Sequence, residues 1–317
     1  MKRILISGIN GFAASHLARY LVNEGNEVHG TVRIRSDLHR IEDIKDKLIL
    51  HTMELTDYLN VEKVVLDVKP DEIYHLAAQS AVRQSWDMPT ENYRINVDGT
   101  INILEACRKL ENKPRILNVS TCEVYGSTTE PVIDENTKPD PNTHYGISKY
   151  TQDMIGRLYH KAYGLPVLTS RSFNVTGAGR ADVFVDSSFA KQVAEIELRL
   201  KEPVIKHGNL ESQRDFTDIK DVVIAYTKIL RQGIPGEVYV IASEKMVTIQ
   251  KLLDTLISYS KVAGIKDEID PDRLRPIDTK GTIGNASKIK QLGWGTTVSF
   301  ETSMLELLEY WRTRLSK

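Results

Sequence analysis

Six short apolar runs recur through the first half of the chain: Ile4–Ser7, Glu27–Val32, Leu48–His51, Ile73–Leu76, Ile116–Val119 and Val167–Arg171. Their apolar residues are continuous and do not alternate with polar ones, as expected of strands covered on both faces of a parallel sheet. Helical patterns fill the gaps. Val61, Val64, Val65 and Val68 share one helical face, and Val97, Ile101 and Leu104 share another in a helix that follows Pro89. Strand, helix and strand in repetition predict an α/β protein built on a doubly wound parallel sheet. The second half is less regular. Helices are expected near Phe189–Leu200, Ile219–Leu230, Ile249–Ser260 and Glu301–Arg312, a polar stretch at Gly208–Asp215, and a strand at Val238–Ile241 that returns to the sheet.

Charge sets limits on partners. Lys plus Arg number 42 and Asp plus Glu 43 among 317 residues, which argues against a nucleic-acid binder held by bulk charge. Cys107 falls on an apolar helical face, and Cys122 is not at metal-ligand spacing from it, so neither a disulfide framework nor a metal site is expected. The opening Met1-Lys2-Arg3-Ile4-Leu5-Ile6-Ser7-Gly8 reads as a first strand and not as a signal peptide. No apolar stretch approaches the roughly 18 residues of a membrane span, and a cytoplasmic protein is the reading.

Gly8-Ile9-Asn10-Gly11-Phe12-Ala13-Ala14 links the first strand to an amphipathic helix. Gly8 and Gly11 permit a tight turn whose N–H groups, with those of Asn10 and Phe12, approach a pyrophosphate at the helix N-terminus; Ala14 lets helix and strand pack closely. At the end of the second strand stands Thr31-Val32-Arg33-Ile34-Arg35-Ser36, with no carboxylate placed to accept from a ribose 2′-hydroxyl. Arg33, Arg35 and Ser36 suit a 2′-phosphate instead, so NADP is expected over NAD. This makes the sheet Rossmann-type. Residues 1–173 and 212–242 are expected to form the dinucleotide-binding domain, and 174–211 with 243–317 a smaller mixed α/β substrate lobe.

Tyr145-Gly146-Ile147-Ser148-Lys149 places a phenol and an ammonium four residues apart, on one helical face. The lysine charge is expected to lower the tyrosine pKa from about 10 and make Tyr145 a base. With Gly8–Ala14, His75-Leu76-Ala77-Ala78-Gln79-Ser80, Ser120-Thr121-Cys122-Glu123-Val124-Tyr125-Gly126 and Arg171-Ser172-Phe173-Asn174, these residues resemble the extended short-chain dehydrogenase/reductases over essentially the whole chain. Arg33–Ser36, Gly208–Phe216 and Leu274-Arg275-Pro276 resemble the GDP-mannose 4,6-dehydratases and, equally well, the reductases of GDP-4-keto-6-deoxymannose.

The resemblance implies roles for particular residues. Tyr145 acts at the C4 hydroxyl, Lys149 orients and tunes it, Glu123 acts at C5–H and C6–OH, and Thr121 hydrogen-bonds O4. Cys122 stands where related dehydratases carry aspartate or serine, and a neutral thiol is a poor acid. Leu55, Leu76, Ala77 and Ala78 are implied to line the cofactor. Ser80, Asn174, Lys191, Arg214 and Arg275 are implied to hold the nucleotide sugar, GDP-linked by preference and UDP-linked as an alternative. The implied activity is 4,6-dehydration, with 4-keto reduction, 4-epimerisation and the 5,6-dehydration of a UDP-sugar as alternatives, and a non-catalytic NADP-sensing protein as the reading from another class. Helices around Thr100 and Tyr150 are those that pair between subunits in similar proteins, so a homodimer or a dimer of dimers is expected.

Overall fold

The structure is a computed structural model that describes residues 1–273 and 281–316. The first half runs β1 (Arg3–Ser7), α1 (Phe12–Asn23), β2 (Glu27–Val32), β3 (Leu48–Thr52), α2 (Tyr58–Val68), β4 (Glu72–His75), α3 (Val82–Asp87), α4 (Pro89–Tyr93), α5 (Gly99–Lys109), β5 (Arg115–Thr121), β6 (Val132–Ile133), α6 (His144–Tyr163) and β7 (Val167–Ser172). The remainder runs β8 (Asn174–Thr176), α7 (Val185–Glu197), β9 (Val204–His207), β10 (Gln213–Asp218), α8 (Ile219–Gln232), β11 (Val238–Ile241), β12 (Met246–Thr248), α9 (Ile249–Ser258), β13 (Lys266–Ile269), β14 (Ile283–Gly284), α10 (Ser287–Lys290) and α11 (Phe300–Leu315).

Seven strands form one parallel sheet in the order β11–β7–β5–β4–β1–β2–β3. The doubly wound expectation is therefore met, and Val238–Ile241 does return to the sheet. The order reverses between β1 and β4, so the connections leave on opposite faces and open a crevice at the carboxyl ends of those strands. One face is covered by α1 and α8, whose Leu17, Leu21, Val222 and Ile229 pack over Ile4, Ile6, Leu117 and Leu168. The other is covered by α2, α5 and α6 through Val61, Val65, Ile103, Cys107 and Tyr159. Every apolar residue of the four-valine face of α2 is buried. No described helix is long and apolar enough to cross a membrane.

Two sequence expectations shift. The buried face of α5 carries Thr100, Ile103, Leu104 and Cys107, while Val97 and Ile101 are half-exposed. Leu104 is buried as expected. A π-turn at Arg94–Asp98 contains Val97, and its extra residue takes Val97 out of the phase that a uniform 3.6-residue period assigns. The polar stretch from Gly208 runs into strand β10, which pairs with β8 and β12 outside the seven-stranded sheet. Asp215 of that strand is buried because it accepts from the N–H and hydroxyl of Ser243 and from the N–H groups of Glu244 and Gly284. Beyond it, α7, α9 and α11 enclose a separate core of Phe189, Val193, Leu252, Leu256, Met304 and Leu308.

The sheet also shapes the first turn. A Cβ added to Gly30 on β2 would lie 2.5 Å from Cγ2 and 2.7 Å from Cβ of Ile9, a stiff, fully buried side chain within the Gly8–Gly11 turn. Gly30→Ala is therefore expected to destabilise the protein by about 1–3 kcal/mol through overpacking and to weaken dinucleotide binding at the same time. Chemical denaturation and nucleotide titration check this. An unchanged affinity would detach the glycine from the turn.

Candidate active site

The Gly8–Ala14 turn sits at the crevice between β1 and β4. Gly8 has φ 69°, a left-handed conformation, and a Cβ there would lie 3.0 Å from Ala77 Cα, so glycine answers both demands. Helices α2, α6, α8, α9 and α11 are closed by side chains of Asp57, Thr143, Asp218, Thr248 and Ser299. Gly11 offers no such cap to α1, which leaves its positive N-terminal end for an anion. Ala14 is buried and Phe12 packs edge-on to His16.

Opposite this turn, Ser7 Oγ accepts from the N–H groups of Leu76 and Ala77 and donates to His75 Nδ1 at 2.8 Å. His75 Nε2–H donates to Thr100 Oγ1, whose hydroxyl donates to the Asn96 carbonyl. The chain of donors requires a neutral imidazole. Burial, with Lys149 nearby, holds its pKa down at about 3. The backbone of Leu76, Ala77 and Ala78 is thus fixed as one wall of the crevice. At the end of β2, Asn10, Arg33, Ile34, Arg35, Ser36, Asp37 and Glu54 line a hollow of about 440 Å³. Arg35 takes φ 59° there, and the Asn10 amide donates to the Asp37 carbonyl. A capless helix end and a glycine turn that no Cβ would enter fit the pyrophosphate of a nicotinamide dinucleotide, with two exposed arginines beside them. Leu55 is buried against Gly99, and its carbonyl accepts from Asn102.

The catalytic candidates come from two elements. Thr121 ends β5 and its Oγ1 accepts from the Glu123 N–H, opening a short 3₁₀ turn over Cys122–Tyr125. Thr143 caps α6 by accepting from the Gly146 N–H at 2.9 Å. Gly146 allows α6 to approach that turn, since a Cβ on it would lie 2.6 Å from the Glu123 carbonyl oxygen. The Tyr145 phenol is thereby brought close to Thr121 and within the field of Glu123.

The expected lowering of the Tyr145 pKa is not seen in the free protein. Burial first, and the Glu123 charge second, push it above the usual phenol value. Lys149 is only 3 % exposed and directs its ammonium elsewhere, to the Val119 carbonyl at 2.6 Å and Gln152 Oε1 at 2.5 Å. Burial lowers its own pKa from 10.5 to about 8, against the opposing charge of Asp153. Cys122 packs against the core around Val124 and Phe173, and burial pushes its thiol pKa up, with Glu123 and Asp215 acting in the same direction. It is a neutral thiol.

The substrate candidates are less closely grouped. Ser80 is exposed at the end of the Leu76–Gln79 segment, and Asn174 Nδ2 donates to the Asp215 carbonyl. Arg214 lies on β10 beside Asp215, with Nη1 donating to the Gln213 carbonyl, and its charge reaches Cys122. Lys191 is committed within the lobe, to Asp182 at 2.6 Å and over the Trp311 ring at 5.4 Å. Arg275 lies outside the described residues. Sequence reasoning missed Ser85, Asn96 and Asp153. Ser85 Oγ accepts from the Tyr145 N–H, and buried Asn96 ties the Gln79 backbone to Ser148. Asp153 was signalled by its place four residues after Lys149 on the same face.

The family described as GDP-mannose 4,6 dehydratase matches residues 5–307. A GDP-mannose 4,6-dehydratase from Yersinia enterocolitica is 31% identical, the match covering 97% of this chain and 93% of that one. A GDP-6-deoxy-D-mannose reductase from Pseudomonas aeruginosa is 28% identical, with 99% and 98% covered. The structure of RMD from Pseudomonas aeruginosa complexed with NADPH superposes with a TM-score of 0.85 at 26% identity, covering 99% of this chain and all of that one.

The folded pKa of Lys149 lies below its ordinary 10.5, so the fold is penalised for the charge below pH 8 and recovers stability as pH rises from 8 towards 10.5. Lys149→Met is accordingly expected to melt no lower than the parent at pH 7 and to lose that relative advantage by pH 10, while turnover falls by about 10²–10⁴. Thermal melts at the two pH values check this. A variant markedly less stable at pH 7 would make the lysine a structural residue.

Proposed function

The chain belongs to the GDP-mannose 4,6 dehydratase family, and we propose that it is an NADP-dependent nucleotide-sugar 4,6-dehydratase acting on GDP-mannose in the cytoplasm. The observation that supports the reading is the close approach of α6 to the Thr121–Tyr125 turn at Gly146, which brings Tyr145 near Thr121 and into the field of Glu123. A nicotinamide dinucleotide held by Gly8, Asn10, Gly11, Phe12 and Ala14, with Arg33, Arg35 and Ser36 on its 2′-phosphate, supplies the hydride acceptor for C4 and the donor for C6. Tyr145 takes the proton of the C4 hydroxyl, with Thr121 hydrogen-bonded at O4. Once C4 is a ketone, the C5 proton is acidic. Glu123 removes it and passes it to the departing C6 hydroxyl, which leaves as water; as C6 takes the hydride, C5 takes a proton back, balancing the one Tyr145 removed from the C4 hydroxyl. Arg214 and Asn174 hold the diphosphate, with Arg275 as a further cation. Lys149, one helical turn behind Tyr145, is assigned the orientation and tuning of the phenol once the dinucleotide is bound. Both cysteines are free thiols, in keeping with a reducing compartment.

A second reading, reduction of a 4-keto-6-deoxy nucleotide sugar, is favoured by one observation. The match to the reductase spans 319 positions for this 317-residue chain, whereas the match to the dehydratase needs 348. Purified protein given GDP-mannose without added cofactor discriminates the two: a 4-keto-6-deoxy product supports dehydration, while silence, followed by NADPH consumption when the keto sugar is supplied, supports reduction. Glu123→Gln is expected to slow elimination by about 10²–10⁴ and leave NADP binding unchanged. Elimination at the parental rate would remove Glu123 from the mechanism.

The same reading includes a dimer through α5 and α6. Ile147, Met154 and Leu158 form an exposed apolar stripe on α6, 40%, 43% and 57% exposed, beside half-exposed Val97 and Ile101. Leu158→Arg is expected to convert a dimer to monomer in sedimentation experiments. A dimer of undiminished affinity would place the interface elsewhere.

A further inference from the structure

Behind the proposed site lies a second set of charges to which the mechanism assigns no role. Tyr145, Lys149 and Asp153 follow one another at single turns of α6, all facing the sheet, and they are 8%, 3% and 0% exposed. Arg171, on β7 and 2% exposed, donates from Nε to Asp153 Oδ2 at 2.8 Å and from Nη1 to the Tyr125 hydroxyl at 3.0 Å. The Tyr125 hydroxyl in turn donates to the Asp134 carbonyl at 2.9 Å. Tyr125 closes the same short turn that carries Glu123. One guanidinium therefore bridges the helix bearing Lys149 and the turn bearing Glu123, in a place where water does not reach.

We propose that Asp153 and Arg171 are positioning residues for the reaction: Asp153 keeps the Lys149 ammonium charged and in place, and Arg171 ties that restraint to the Glu123 turn. The proposal rests on the roles assigned above to Lys149 and Glu123. A buried ion pair is a weak source of stability, because desolvation offsets most of its attraction, and apolar residues of similar volume serve a core as well. Its geometric effect is larger. A bidentate guanidinium fixes distance and angle between its two partners as an apolar contact does not. The groups facing Lys149 are His75 from β4, neutral and bonded on both nitrogens, Gln152 and Asp153 from α6, and the Val119 carbonyl from β5. Among the described residues Asp153 is the carboxylate that opposes desolvation of the ammonium.

The test uses the full chain with [ε-¹³C]lysine, in which loss of one signal in Lys149→Met assigns the Lys149 resonance. Asp153→Asn is expected to lower the Lys149 titration midpoint by about one unit or more and turnover about tenfold, with Asp153→Glu restoring both. A midpoint unchanged in Asp153→Asn overturns the first half of the proposal. Tyr125→Phe, which removes one hydroxyl and keeps the ring, carries the second half and stands even where Asp153→Asn fails to fold. It is expected to reduce turnover about tenfold through kcat, with the Lys149 midpoint and the affinity for NADP unchanged. Turnover within about twofold of the parent would overturn that half. Since the titration and the cofactor affinity need no sugar substrate, a chain inactive on GDP-mannose whose Lys149 midpoint moves as stated would sink the proposed reaction and support the clamp.

Discussion

A helix that turns a phenol, an ammonium and a carboxylate toward the inside of a protein creates a problem for the rest of the fold. Each buried polar group needs a partner, and each buried charge needs a counter-charge or a strong dipole. Here α6 finds them on the strands beneath it. Lys149 uses the Val119 carbonyl and Gln152, Gln152 is held by Asn118, and Asp153 uses Arg171. Asn118 and Val119 stand on β5 and Arg171 on β7, which are neighbours in the sheet. A shift of α6 along its axis would break its contacts with all three together. The position of Tyr145 is therefore set less by its own contacts than by those of the two residues one and two turns behind it.

The same logic places the crevice. Parallel strands leave their carboxyl ends on one edge, and the reversal of order between β1 and β4 keeps the connections there apart. Into the gap project the glycine turn from one side and the Leu76–Ala78 backbone from the other, the latter held by Ser7 and by the neutral His75. β5 ends on the same edge, which is why Thr121 and Glu123 emerge beside the dinucleotide crevice. Cofactor wall and catalytic turn are consecutive consequences of one sheet.

Much of this was legible from residues alone, and the failures have physical causes. Parallel strands buried on both faces leave unbroken apolar runs, so β1, β2, β3, β4, β5 and β7 could be read directly. The valine face of α2 was equally plain, because nothing perturbs its period. In α5 the reading kept Leu104 and Cys107 but took Val97 and Ile101 in place of Thr100 and Ile103; for Val97 the cause is a π-turn, a hydrogen-bonding choice that leaves no compositional trace. The start of strand β10 was legible only as the end of a polar stretch, since Asp215 is polar, yet four hydrogen bonds from two distant segments bury it. The candidate site shows the same division. Helical spacing put Tyr145 and Lys149 on one face, but direction within that face depends on tertiary partners, and the ammonium points to a carbonyl of β5. Lys191 carries the right charge and spends it on Asp182.

The state of Tyr145 bears on which direction of chemistry the fold favours. Burial and the Glu123 carboxylate both hold the phenol protonated. A protonated phenol at O4 is ready to give a proton to a ketone, as reduction requires. Taking a proton from a C4 hydroxyl needs additional positive charge close by, and the free chain directs its nearest ammonium away from the phenol. In the proposed dehydration Glu123 thus has two opposed effects. As a base it is what elimination at C5 and C6 demands, and as a neighbouring anion it makes the preceding oxidation at C4 harder. The strength of that opposition is set by the gap between α6 and the 3₁₀ turn, a gap that Gly146 allows to be small.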